Sequence, residues 1–255
     1  MGIKQILLSV VAMCGIVGAG AKPATEVVAH RGYWKAEGSA QNSVASLKKA
    51  IEIGARGSEC DVYITTDGVV VVHHDPTIDG KRIDESTYAA LKDCKFSNGE
   101  AIPTLDELIA IARKQKHTKL IIEIKSHNTQ EKEAAAVDAV LKLVKKNKMD
   151  KLVEYISFSQ NVCERLIALS PKAKVAYLGS DLTPKQLSDK GYTGLDYHIG
   201  AMRAHEEWFD EAKQLGLEVN VWTVDDEPNM KWLIGKGVTY ITTDEPVLLP
   251  KLLAE

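Results

Sequence analysis

Gly57-Ser58-Glu59-Cys60-Asp61-Val62-Tyr63-Ile64 has the composition of a strand, yet it carries two carboxylates. Side chains alternate faces along a strand, so Glu59 and Asp61 project from one side while Ser58, Cys60 and Val62 project from the other. One face is acidic and the other can pack. Two carboxylates sharing an otherwise apolar interior repel each other and are costly to desolvate unless a cation or protons compensate them. The strand therefore implies an enclosed site as well as a core.

Outward from this stretch, the chain after residue 24 alternates short β-branched runs with longer stretches of helical periodicity, the pattern of repeated βα units. The expected strands are Val27–Ala29, Gly57–Ile64, Leu120–Ile124, Glu154–Phe158, Val175–Leu178, Thr193–Tyr197, Glu218–Thr223 and Tyr240–Thr242. Each except the last is followed by ten or more residues suited to a helix. Eight such units in 255 residues predict an α/β fold, a (β/α)8 TIM barrel. Helix starts are signalled at Asn42 or Ser43, at Thr104-Leu105-Asp106-Glu107 and at Thr183-Pro184. Gly54, Gly191, Gly216 and Gly237 follow apolar-periodic segments, where a helix end wants a residue that tolerates positive φ. Asp67-Gly68 joins two β-rich runs as a hairpin, and residues 76 to 102 then intervene, which predicts a short insertion in the loop after the second strand. No low-complexity linker divides the chain, so residues 22 to 255 are expected to form one domain.

Hydrophobic residues at 45% and charged residues at 26% are enough for one large core, which excludes disorder as the dominant state. The net charge of -3 and the lack of a long basic run exclude nucleic acid as the expected partner. The modest Lys145-Lys146-Asn147-Lys148 stretch reads as the last turn of a helix, complementing its dipole.

The N-terminus is built differently: Lys4, an apolar run from Ile6 to Val17, then Ala19-Gly20-Ala21. This is the layout of a signal peptide, residues 1 to 21, with cleavage expected after Ala21. The run is too short to give a stable membrane span, so the mature chain is expected to be periplasmic or secreted. Lipidation at Cys14 is the lesser alternative, because Met13 precedes it where a small residue is expected. Beyond that segment only Cys60, Cys94 and Cys163 remain, so at most one disulfide can form and the fold must stand on its core.

Leu120-Ile121-Ile122-Glu123-Ile124-Lys125 repeats the opening problem: a run of isoleucines carries Glu123 and, on the same face, Lys125. Charges at the C-terminal end of a barrel strand mark catalysis. Three carboxylates, Glu59, Asp61 and Glu123, without a clustered His/Cys set favour a hard, oxygen-seeking divalent cation, Mg²⁺ or Ca²⁺, over zinc. His30 ends the first strand and His74 ends the Val69–Val72 run, so both are expected at the barrel mouth. Cleaving a phosphodiester in water needs a base for the attacking oxygen and an acid for the departing one, and imidazole serves both near neutrality. Arg31, a planar fork, and Lys125, a point charge, are suited to non-bridging phosphate oxygens.

Seven short motifs stand in order along the chain: His30-Arg31-Gly32, Gln41-Asn42-Ser43, Gly57–Val62, Thr65–Asp75, Ile102-Pro103-Thr104-Leu105, Glu123-Ile124-Lys125 and Val221-Trp222-Thr223. In order and spacing they resemble the glycerophosphodiester phosphodiesterase family. That resemblance implies a barrel with the cation on Glu59, Asp61 and Glu123 and with His30 and His74 as the acid–base pair. It also implies phosphate contacts from Arg31 and Lys125, Trp222 at the mouth near the substrate, and a small-molecule glycerophosphodiester as partner. Two departures stand out: Ala40-Gln41-Asn42 replaces the family's usual Pro-Glu-Asn, and Pro76–Arg82 replaces an arginine-bearing continuation after His74-Asp75. The first bears on the tuning of the cation, the second on alcohol specificity. The competing expectations are a barrel phospholipase acting on lipid head groups and a non-catalytic phosphoester-binding protein.

Overall fold

The computed structural model describes residues 25–254, so the signal peptide, its cleavage point and Cys14 lie outside the described residues. In chain order the elements are β1 (Glu26–Ala29), α1 (Val44–Glu52), β2 (Gly57–Ile64), β3 (Val70–Val72), β4 (Thr77–Ile78), β5 (Lys81–Arg82), α2 (Tyr88–Leu91) and α3 (Leu105–Ala112). They continue with β6 (Lys119–Ile124), α4 (Gln130–Lys146), β7 (Val153–Ser157), α5 (Gln160–Leu169), β8 (Val175–Tyr177), α6 (Pro184–Asp189) and β9 (Gly194–His198). The last are α7 (Ile199–Ala204), α8 (Glu207–Leu215), β10 (Glu218–Trp222), α9 (Glu227–Lys236), β11 (Tyr240–Thr243) and α10 (Leu249–Leu253).

β1, β2, β6, β7, β8, β9, β10 and β11 form the expected eight-stranded parallel barrel, closed because β1 pairs with both β11 and β2. The parity read from β2 holds. Its outward residues Cys60 and Val62, with Leu120, Ile122 and Ile124 of β6, pack into the layer under the helices beside Leu105, Leu108, Val137 and Val140. Residues of the opposite parity, Val28, Ile121, Ile156, Leu178 and Tyr240, meet inside the barrel. Each such aliphatic side chain contributes about 1.5–3 kcal/mol on burial, so the outward faces hold the helix ring and the inward faces fill the lumen.

The helix signals resolve in detail. Ser43, rather than Asn42, caps α1, its hydroxyl accepting the Ser46 N–H at 3.0 Å. Thr104 and Thr183 each close a capping box on α3 and α6. Gly54, Gly191, Gly216 and Gly237 all take positive φ past a helix end. Lys145 and Lys146 lie in the last turn of α4, as expected from the helix dipole. Cys60, Cys94 and Cys163 are buried free thiols.

Asp67-Gly68 turns β2 back into β3, which pairs antiparallel with Val62–Ile64, the part of β2 that rises beyond its pairing with β1. Before α3 the chain forms the β4–β5 ribbon and α2 around a small core of its own, in which Ile83, Leu91 and Ile102 meet Tyr63 and Val71. Two residues tie this segment to the start of α1 and to the β1–α1 loop. The Glu100 carboxylate accepts the N–H groups of Val44 and Ala45 at 2.9 and 3.1 Å, and the Asn98 amide donates to Gly38 O at 3.1 Å. At the opposite end of the barrel Arg56 joins Glu154 at 2.8 Å, Glu26 at 3.3 Å and the Tyr240 hydroxyl at 3.1 Å, a polar plug far from the loops that carry the site.

The turn out of β1 is tightly packed. Gly32 has φ +75°, and a Cβ there would lie 2.4 Å from Ser46 Oγ and 2.7 Å from the Ser46 carbonyl carbon. Gly32→Ala is therefore expected to lower the unfolding free energy by about 2–4 kcal/mol, through left-handed strain plus overpacking, in a denaturant titration.

Candidate active site

β2 and β6 run side by side in a register that pairs Asp61 with Glu123, and this neighbours the two acidic motifs. Carboxylate oxygens of Glu59, Asp61 and Glu123 come within 4.8 Å of one another, all buried. Lys125, one step beyond β6, reaches Glu123 Oε1 at 2.8 Å and Asp61 Oδ1 at 3.2 Å. Asn42 holds Asp61 from both sides: its amide donates to Asp61 Oδ2 at 2.7 Å and its oxygen accepts the Asp61 N–H at 3.0 Å. Asn42 does this at φ +60°, a conformation that asparagine tolerates better than most residues.

The Arg31 N–H donates to Glu59 Oε2 at 2.7 Å, with Arg31 itself at φ +53°. The other Glu59 oxygen is buried and has no hydrogen-bond partner. A buried carboxylate oxygen without a donor is destabilising unless a proton or a cation meets it. Burial, then the negative neighbours Asp61 and Glu123, push the Glu59 carboxyl well above its usual range. Burial and Asp61 likewise raise Glu123 to about 8. Burial also works against ionised Asp61, but Lys125 and Asn42 outweigh it and hold this carboxyl low. The cluster thus holds more negative charge than its protein partners neutralise, and its all-oxygen donor set suits a hard divalent cation.

Of the two histidines, His30 stands just after β1 with Nδ1 2.8 Å from Asp244 Oδ1. A carboxylate only accepts, so Nδ1 carries the proton and Nε2 presents its lone pair. Asp244 also accepts the Trp34 indole N–H at 2.8 Å, which fixes the carboxylate, and these two bonds keep its pKa below the usual value despite burial. His74 donates from Nδ1 to Asp75 at 2.7 Å, and burial of the ring lowers its pKa below 6.5. His73 beside it turns away and stacks on Phe96, with ring centroids 5.8 Å apart.

A cavity of about 290 Å³ collects His30, Arg31, Glu59, His74, Glu123, Lys125 and Trp222, with Asp61 buried beneath. All eight sequence-derived site residues are therefore together. Trp222 stands on the apolar wall with Phe158 and Leu178, its indole donating to Asp196 O at 2.9 Å. The Asp196 side chain, buried under this wall and bonded to Asn220 at 3.0 Å, is raised by burial to about 7. Arg31 does not extend freely. Its guanidinium donates to Gln41 Oε1 at 2.6 Å and sits 3.7 Å from Asp61.

Sequence reasoning missed Asp244, Phe158 and Asp196, and gave Asn42, in the Gln41-Asn42-Ser43 motif, no role beyond that of an alternative to Ser43 as the helix opener. Asp244 lies at the C-terminal end of the last strand, where the same positional rule that flagged Glu123 could have found it. Phe158 looked like the end of an apolar strand, and nothing in its spacing separates a wall of a cavity from a core residue.

The model of the glycerophosphoryl diester phosphodiesterase family matches residues 30–248. A glycerophosphodiester phosphodiesterase of Caldanaerobacter subterraneus is 29% identical over 245 residues, which cover 90% of this chain and 98% of that protein. The crystal structure of a glycerophosphodiester phosphodiesterase from Parabacteroides distasonis superposes with a TM-score of 0.90 at 48% identity, covering 92% of this chain and 98% of that one. An Oleispira antarctica phosphodiesterase, solved with the product sn-glycerol-3-phosphate, shares the fold at 22% identity and a TM-score of 0.76, covering 91% and 98% of the two chains.

Proposed function

This chain belongs to the glycerophosphoryl diester phosphodiesterase family, and from that premise we propose that it splits glycerophosphodiesters into glycerol 3-phosphate and an alcohol with a divalent cation and two histidines. The observation that carries the cation is the unpartnered Glu59 oxygen within the three-carboxylate cluster. Glu59, Asp61 and Glu123 would hold Mg²⁺ or Ca²⁺. Bound there, the ion supplies Lewis-acid withdrawal of charge from phosphorus.

The remaining work falls to side chains. Arg31 and Lys125 face the same cavity and stabilise charge that develops on the non-bridging oxygens. His30, with its proton fixed on Nδ1 by Asp244, takes the proton of the attacking oxygen, which is water or the substrate's own neighbouring hydroxyl. His74, entering the cycle as the imidazolium with its Nδ1 proton held by Asp75, gives its Nε2 proton to the departing alkoxide and ends neutral. Trp222, Phe158 and Leu178 supply an apolar wall for the carbon skeleton of glycerol.

Asp244 acts through His30. Asp244→Asn is expected to lower kcat on the order of 10²-fold or more, with KM little changed, because the imidazole loses the partner that fixes its tautomer. Steady-state kinetics on glycerophosphoglycerol measure both constants. A fall in KM-dependent terms alone would count against the positioning role.

The test of the function itself is release of glycerol 3-phosphate from a panel of water-soluble glycerophosphodiesters, assayed with each metal after chelation. Absence of turnover on every diester and metal would sink it. Faster cleavage of intact phospholipid vesicles than of glycerophosphocholine would instead favour the head-group phospholipase. The small cavity favours deacylated diesters, and among the described residues no helix is long and apolar enough to cross a membrane. We also place the working protein outside the cytoplasm, from the layout of residues 1 to 21. N-terminal sequencing of the mature protein that begins at Lys22 would support this; an N-terminus at Met1 would overturn it.

A further inference from the structure

Arg31 and His74 stand on the wall between two cavities. Inward is the site already described. Outward is a groove of about 610 Å³, with Trp34, Ser39 and Gln41 of the β1–α1 loop on one side and His73, Phe96 and Ser97 on the other. The Asn98 contact to the β1–α1 loop and the Glu100 contacts to the first turn of α1 make this a built groove. A phosphodiester centred between Arg31 and His74 extends one alcohol into each space. The inner space is the smaller and is lined by the charged groups, as a constant glycerol 3-phosphate half requires. The outer one is roomier and borders His74, the proton donor to the departing oxygen.

We propose, resting on the function given above, that the outer groove is the subsite for the departing alcohol and that it selects uncharged polyhydroxy alcohols over quaternary ammonium alcohols. The donors and acceptors decide the class. Gln41 turns its amide oxygen to Arg31 at 2.6 Å, since a guanidinium only donates, and its NH₂ has no partner in the protein. This donor meets a ligand hydroxyl well.

A trimethylammonium head needs an open aromatic face or a free carboxylate. Here Lys35 Nζ sits 5.5 Å from the Trp34 ring, and Phe96 is stacked against His73. One oxygen of the solvent-exposed Asp75 carboxylate is engaged by His74 at 2.7 Å. Arg31 and Lys35 add positive charge to the same walls, Lys35 paired with Glu245 at 2.6 Å. A cation entering the groove meets these charges and finds no open aromatic face to compensate its lost water.

The test compares kcat/KM of the wild-type holoenzyme on glycerophosphoglycerol, glycerophosphoinositol and glycerophosphocholine. The two polyol diesters are expected to exceed the choline diester by about tenfold or more. Gln41→Glu, checked for folding by circular dichroism, is expected to shrink that ratio by adding a carboxylate to the groove. Inhibition by free inositol but not by free choline gives a readout independent of the variant. Equal or better cleavage of the choline diester by wild type overturns the subsite while leaving the family activity standing. An unchanged ratio in a folded Gln41→Glu protein also overturns it. Loss of turnover on all three diesters overturns the subsite and the function together.

Discussion

Replacing His30 or His74 by alanine lowers kcat on glycerophosphodiesters by about 10²–10⁴-fold, the span that positioned acid–base groups contribute, while cation affinity stays close to wild type. The separation follows from the geometry: neither ring is among the three carboxylates that gather for the ion, and each has its own carboxylate partner outside that cluster. The two substitutions differ in what rescues them. A diester with a good leaving group, such as a nitrophenol, needs no proton on departure, so the His74→Ala protein regains much of its rate on it. His30→Ala does not, because its missing proton acceptor serves the attacking side. The double variant is expected to fall about as far as the worse single one, the outcome for two groups that act as a unit. Rates near wild type in either single variant would remove the two-histidine assignment. Rescue of His30→Ala alone by the nitrophenyl diester would reverse the roles.

Removing the cation is expected to abolish turnover, and Mg²⁺ or Ca²⁺ to restore it, with a pH dependence set by the carboxylate cluster. Without the ion the folded cluster holds protons that the unfolded chain releases. Glu123 titrates at about 8 when folded, against 4.5 for the ordinary side chain. Between those values the folded state binds more protons, so its stability contribution is fully present below about pH 4.5 and is lost as pH rises through about 8. Burial and repulsion raise Glu59 in the same direction, whereas Asp61, held low, changes only in acid. The thermal midpoint of chelated protein should therefore fall between about pH 5.5 and about pH 8, and the increase on adding cation should grow over the same range. Titration calorimetry in buffers of different ionisation enthalpy reads the released protons directly. A cation-induced shift that is flat or shrinks with rising pH would exclude the cluster as the binding site.

Much of this site was legible because strand parity is a rigid rule. Once Gly57–Ile64 was a strand, Glu59 and Asp61 had to share a face, and Leu120–Lys125 placed Glu123 and Lys125 by the same alternation. Caps were equally local: the Thr104/Glu107 pair writes its own helix start. What escaped depends on contacts across long separations. Asp244 becomes meaningful only when β11 lies against β1, and Asn42 only when a left-handed turn swings its amide over Asp61. The outer groove is made by two loops whose approach no periodicity encodes, so Gln41 could be flagged as unusual without revealing that it faces both Arg31 and open space.

The ring closure described for the barrel also sets the parts of the site apart along the chain. The proposed cation ligands come from neighbouring strands, between residues 59 and 123, whereas the His30–Asp244 bond spans 214 residues. Closing that contact requires the last strand in place, so a chain without β11 has all three carboxylates in its sequence but lacks the partner that orients His30. On the proposed roles, turnover rather than cation affinity is therefore expected to report that the ring is whole.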